Sequence, residues 1–388
     1  MATPFPTSPA AQSTGPPQRW LLGLWVVIGL GALAFLAGFL AGRGPRTWAI
    51  YLVNLLFWSG LSAAGPAIAG IFELTEARWS VRLRRIATTT AAFMPISFVL
   101  FLVLFTAIDV LYPWVGDPKL VERKAAWLNV PFFLLRIGVG VAALYWVSIR
   151  FAREVHASPA GAAEEPGRAR RARLAVVMLF LFVAVVSLFG FDLVMSLDPV
   201  WFSGLLGGYF VVGTLYSGFA FLVVLVGVRS LNRPAWVMPA TEVQDLAKLV
   251  FATSILWMYF FWSQYLVIWY GNVPIETRFV LARFFEDPWR GLAVLACLIG
   301  WLVPFAYLLV RLTGRPPESH RVLVGVACLS LTAIFLERTV LVLPSVVGRL
   351  VFPYGPVEIL ITAGFAALFI LSYLVFVPRL GLGSRAEG

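Results

Sequence analysis

Histidine occurs twice in 388 residues, as His156 and His320, and cysteine twice, as Cys297 and Cys328. Both histidines lie in or beside polar connections, so facing imidazoles cannot hold a b-type haem between helices. Each cysteine falls in an apolar run with neither a second thiol nor a histidine at ligand spacing, which excludes disulfide, zinc and iron-sulfur readings. No metal site and no covalently held cofactor is expected. Nucleotide-driven work is excluded as well, because the chain has no P-loop and no Rossmann glycine pattern on a strand-helix unit. Charge is scarce too: 13% of residues are Asp, Glu, Lys or Arg, against roughly a quarter in soluble domains.

What fills the chain instead is apolar, 60% of residues, gathered into windows of about 20 or more without a charge. Such windows predict spans near 20–41, 48–72, 87–112, 127–151 and 174–197, then near 202–228, 243–270, 291–313, 321–343 and 356–377. At 1.5 Å rise per residue, each run is long enough to cross a hydrocarbon core of about 30 Å. The expected class is therefore all-α: a polytopic membrane protein of about ten transmembrane helices. Residues 1–19, rich in Pro, Ser and Thr, read as a disordered cytoplasmic tail, and 378–388 as a second one. The first apolar run is longer than a signal peptide's, so it reads as a retained anchor.

The formal charge of +11 does not point to nucleic acid, because the basic residues sit in short loops between apolar runs. The side holding the N-terminus collects 18 of the 30 Lys and Arg residues and the other side nine, with Arg136, Lys248 and Arg338 inside spans. By the positive-inside rule both termini are cytoplasmic, which for a bacterial chain means the inner membrane. Tryptophans and tyrosines such as Trp48, Trp114, Trp127, Trp201, Trp269 and Tyr354 cluster at the outer ends of spans, where headgroups suit their rings. The longest inner loop, 152–173, is small and charged and reads as mobile.

Span five ends in Asp192-Leu-Val-Met-Ser-Leu-Asp-Pro199 and span nine in Glu337-Arg-Thr-Val-Leu-Val-Leu-Pro344. An acid precedes a proline by seven residues in both. That hint of a repeat fits two four-helix bundles, about 48–197 and about 202–343, with two flanking helices in a transmembrane domain over 20–377.

Ionisable groups at membrane depth are expensive enough to be functional candidates. Arg136, Asp192, Glu337 and Arg338 lie within spans, while Asp245 and Lys248 lie toward the inner side. They suit two half-channels for protons, or an outer quinol pocket in which Asp192 accepts a hydroxyl proton while Arg136 or Asn129 positions an oxygen. The plainer alternative is a set of ion pairs, Asp192 or Glu337 with Arg136, holding helices in register. Thr253, Trp257 and Gln264 share one helix face and suit either a water path or interhelical hydrogen bonding. Asp109, Glu73 and Glu358 are expected to be solvated at helix ends. Pro66, Pro95, Pro131 and Pro304 are expected inside spans, and the Gly204-xxx-Gly208 and Ser62-xxx-Pro66-xxx-Gly70 spacings are expected to serve close packing.

Several segments resemble a known family. They are Phe191-Asp-Leu-Val-Met-Ser-Leu-Asp-Pro-Val-Trp-Phe-Ser203 with Gly208-Tyr209, Asp245-Leu-Ala-Lys-Leu-Val-Phe-Ala252, and Trp262-Ser-Gln-Tyr-Leu-Val-Ile-Trp-Tyr-Gly-Asn-Val-Pro-Ile-Glu-Thr277. Trp127-Leu-Asn-Val-Pro-Phe-Phe-Leu-Leu-Arg136 and Asn54-Leu-Leu-Phe-Trp-Ser-Gly60 fit as well. Together they are similar to the ActF-type membrane subunits of alternative complex III, a quinol:electron-acceptor oxidoreductase, in the polysulfide reductase NrfD-like family. The resemblance runs from about residue 20 to residue 377.

It implies a ten-helix fold and partnership with a homologous quinol-binding membrane subunit, a periplasmic iron-sulfur subunit and multihaem cytochrome c subunits. Menaquinol or ubiquinol would be the quinol. Asp192, Asp198, Asp245, Lys248, Gln264 and Arg136 match positions suited to a proton path. The signature commonly has histidine where this chain has Val200. The homologous subunit uses an intramembrane histidine with an acid, so the resemblance places quinol oxidation mainly in that partner. Two other functions compete: a stand-alone secondary transporter for an anion, using Arg136 and Arg338, and a purely structural membrane anchor.

Overall fold

A computed structural model of the protein describes residues 18–77, 81–158, 167–232, 238–313, 320–348 and 352–382. Most of both expected tails, residues 159–166 of the inner loop, and Arg78, Arg233, Arg315, Arg349 and Arg385 of the basic tally lie outside the described residues. Among the described residues, ten helices are long and apolar enough to cross a membrane. They are α1 (Gln18–Leu40), α2 (Gly44–Leu74), α3 (Val81–Leu111), α4 (Val130–Ala157), α5 (Arg168–Leu197), α6 (Leu206–Ser230) and α7 (Ala240–Gly271), then α9 (Trp289–Arg311), α10 (Arg321–Val347) and α11 (Pro356–Arg379). The chain is a multi-pass, all-helical membrane protein. A shorter helix, α8 (Pro274–Phe284), lies between α7 and α9 in a stretch expected to be a plain connection.

Helices α2, α3, α4 and α5 pack in a ring, and α6, α7, α9 and α10 pack in a second ring. The rings meet where α2 lies against α6 and α10 and α5 against α6. Helix α2 is the centre of the molecule, with 89% of its apolar window buried against 17% for α1. Its sequence explains the difference. Small residues run through its middle, Ser59-Gly-Leu-Ser-Ala-Ala-Gly65, so neighbouring backbones come close. At Gly65 an added Cβ would strike the Ala87 carbonyl and the Thr90 hydroxyl of α3, and Thr90 in turn donates to the Ser62 carbonyl at 2.9 Å. Outside the rings, α1 and α11 lie on each other, crossing where Gly31 faces Gly364, and α11 also rests on α2 and α3.

Several expected boundaries shift for identifiable reasons. Helix α3 starts at Val81 rather than near 87, because its first-turn arginines have partners at the helix end. Helix α4 starts at Val130, where Asn129 is the N-cap, so Pro131 sits in the first turn instead of inside the span. Gly204 precedes α6 and a Cβ added there would meet nothing within 4 Å, whereas a Cβ at Gly208 would strike Phe260 and one at Gly70 would strike Met178. The α-helical pattern widens to π turns at Phe189–Val194 in α5 and at Leu298–Leu302 in α9, a local insertion common at functional positions.

Candidate functional site

Two buried acids, one per ring, organise the interior. Asp192 lies on the π turn of α5, about 8 Å from that helix's C-terminal end, and its residue is 0% exposed. Both carboxylate oxygens are occupied: Oδ2 accepts from Arg136 Nε at 2.6 Å and Oδ1 from the Trp127 indole at 2.9 Å. Arg136 also donates to the Trp127 carbonyl at 3.2 Å and stacks on the Trp127 and Phe132 rings at 4.0 and 4.5 Å. A charge pair removed from water needs this many additional contacts to offset desolvation. Of the two ion pairs expected for Arg136, the structure makes the one with Asp192.

Glu337 is arranged differently. It sits about 15 Å from the C-terminal end of α10, near the middle of that helix. Its partner is the next residue, Arg338, whose NH1 reaches both carboxylate oxygens at 2.8 and 3.0 Å while the guanidinium stacks on Phe210 at 3.7 Å. Adjacent residues do not face each other on a helix, so the two side chains curl around the same flank of α10. The Tyr209 hydroxyl of α6 neighbours the carboxylate as a hydrogen-bonding group. Glu337 also lines a cavity with Tyr209, Trp257, Gln264 and Cys297. It offers water centres about 50 Å³, room for a few molecules. The indole nitrogen of Trp257, a residue 1% exposed, has no hydrogen-bond partner among the described residues.

Helix α8 closes one side of this cavity through Phe279, Val280 and Phe284. Arg283, 2% exposed, pins α8 to α10 by donating to the Leu341 carbonyl at 2.9 Å and the Ser345 hydroxyl at 2.7 Å. Burial pushes the Arg283 guanidinium down to about 9, outweighing the opposing pull of Asp198, and the group stays charged at neutral pH.

The remaining candidates are dispersed. Asn129 is spent on the α4 cap, accepting from the Phe132 amide at 3.0 Å. Asp198 pairs with Arg278 at 3.0 Å outside the spans. Asp245 and Lys248 pair with each other at 2.8 Å near the start of α7, half-exposed. They stand roughly 24–29 Å along that helix from Gln264. Thr253, between them, donates to the carbonyls of its own helix. Glu73 and Glu358, expected to be solvated, are instead buried: Glu73 takes Arg84 and Arg171, and Glu358 takes Arg46 at 2.6 Å.

A second, larger cavity of about 420 Å³ opens beside Trp127. It is lined by Arg123 and Lys124 together with Trp127, Phe191, Trp201 and Phe202. Asn129, Arg136 and Asp192 do not line it, and the Trp127 indole joins it to the Asp192 carboxylate. Trp127, assigned to the headgroup belt by its position, thus also serves the interior. Tyr209 and Arg283 carried no signal in hydropathy, because one sits in an apolar run and the other in an expected loop. Among the described residues no three His, Cys, Asp or Glu side chains gather as metal ligands. No family model matches the chain, and no curated protein matches it.

Proposed function

We propose that this chain is a membrane subunit of a quinol-oxidising respiratory complex of the alternative complex III kind, in which Glu337 carries protons through the second ring. The observation behind this reading is the Glu337 cavity. A buried carboxylate within a span, paired with Arg338 on its own helix, has a hydroxyl, an amide and an indole N–H around space for water, which can take over its hydrogen bonds when it changes charge. Quinol oxidation releases two protons and two electrons. The electrons pass to iron-sulfur and haem centres of partner subunits, since the sequence offers no paired imidazoles within its spans.

The cavity beside Trp127 suits a quinone ring. Its size lies within the usual range for small-molecule sites, and its walls are aromatic with two cations. Trp127 would link that ring to the Asp192–Arg136 pair. In this reading Asp245 and Lys248 stand at the cytoplasmic mouth, both termini are cytoplasmic, and a homologous subunit oxidises the quinol. Anion transport is less well supported, because Arg136 and Arg338 are each already neutralised by a carboxylate.

The test has two parts. Tagged protein drawn from its native membranes should bring c-type haem and iron-sulfur iron with it; a chain purifying alone would refute membership of the complex. In the isolated complex, Glu337→Gln should lower proton uptake per electron while quinol oxidation persists. An unchanged ratio would remove Glu337 from the path.

A further inference from the structure

At the opposite end of the first ring from Asp192, two guanidinium groups meet one carboxylate and a third lies beside them on the Ser158 carbonyl. Glu73, at the end of α2, accepts from Arg84 of α3 and from Arg171 Nε of α5 at 3.1 Å. Arg171 NH1 also reaches the Ser158 hydroxyl at 2.5 Å, and Arg85 NH2 reaches the Ser158 carbonyl at 2.5 Å. These groups, with Val81 and Val155, line a small, half-open cavity of about 20 Å³, room for one water-sized group, so an anion would seat one oxygen there and keep the rest at the open rim. The Arg171 side chain is 5% exposed and that of Glu73 3%, while Arg84, at 19%, reaches the rim.

We propose that this cavity binds a phosphoryl group. Each guanidinium presents five N–H donors in a planar fork, and the contacts above engage one nitrogen of Arg84 and one of Arg85. The remaining donors line a half-buried space where positive charge exceeds negative among the described residues. A tetrahedral oxyanion is the ligand that forked donors on several sides match best. The surroundings add to the field: the described residues at this end of α2 to α5 include nine arginines and three glutamates, Glu73, Glu76 and Glu154. The phosphoryl group can come from an anionic phospholipid headgroup at the membrane surface or from free phosphate, and both meet the same donors.

The test uses the full chain purified in neutral detergent. Its thermal midpoint is followed with inorganic phosphate against chloride at equal ionic strength, and in phosphatidylcholine nanodiscs with and without phosphatidylglycerol. Stabilisation by phosphate alone identifies a free-anion site, and stabilisation only with phosphatidylglycerol identifies a headgroup site. Arg85→Gln, which leaves the Arg84–Glu73–Arg171 cluster in place, should weaken the effective ligand roughly tenfold, the loss of one charge-assisted hydrogen bond. Arg85→Lys should restore part of it. No stabilisation by either ligand, or an equal response from wild type and Arg85→Gln, would overturn the proposal.

Discussion

In the first ring the buried acid meets its arginine across a helix interface, α5 to α4; in the second, acid and arginine are neighbours on α10 alone. Asp192 has both oxygens engaged by groups from outside its helix and lines neither the Trp127 cavity nor the Glu337 cavity, whereas Glu337 faces water-sized space. A pair that bridges two helices holds them together, and protonating its acid would break the bridge. A pair confined to one helix touches its neighbour only through the Phe210 ring and the Tyr209 hydroxyl of α6, so its acid can change charge without breaking an ion pair between helices. The two acids look equivalent by sequence position, and their surroundings give them different work.

Removing the bridging partner should produce the largest effect. Arg136→Leu strands Asp192 in an apolar interior and should cost about 3–5 kcal/mol. Adding Asp192→Leu should return most of that loss, measured by denaturant unfolding in micelles. If the double variant is no better than the single one, the bridge is not what the substitution broke. Next comes packing at the ring's centre: Gly65→Leu pushes a side chain into the α3 backbone and should cost about 1–3 kcal/mol. A smaller loss would show that α3 can retreat from α2.

Glu337→Gln should cost less than Arg136→Leu, about 1–2 kcal/mol, because an amide oxygen and cavity water can still serve Arg338. Equal losses in Glu337→Gln and Arg136→Leu would erase the distinction between the rings. The smallest effect belongs to Asp245→Asn. Its pair with Lys248 is half-exposed and lies on one helix, and its loss should change stability by under about 0.5 kcal/mol.

Hydropathy is a one-dimensional signal, and it carried the spans because each must be apolar along its whole length whatever its neighbours. It located Arg136, Asp192, Glu337 and Arg338 as costly groups for the same reason. Partners were another matter. Arg136 is equally able on paper to meet Asp192 or Glu337, and only packing decides that α4 lies beside α5. Glu73 and Glu358 were expected in water because helix ends usually meet it, yet Arg84, Arg171 and Arg46 fold back over them. Helix α8 was illegible because 11 residues with two arginines and a glutamate resemble a loop between spans. The Glu337 cavity was out of reach for a deeper reason. It is the space left by five helices, and Tyr209 and Gln264 join it from positions 128 and 73 residues upstream of Glu337.

The crossing of Gly31 and Gly364 sets an order of events during synthesis. Of the ten described spans, α1 is made before the others and α11, the helix it packs on, after them. At about 5–20 residues per second, α1 waits on the order of 20–60 s beside the growing rings with its glycine face turned to lipid. That face is open during the interval to any other small-residue helix in the membrane. The arrival of α11 is therefore a closing step, and a chain lacking α11 should leave α1 tethered to the assembly mainly through its short link to α2.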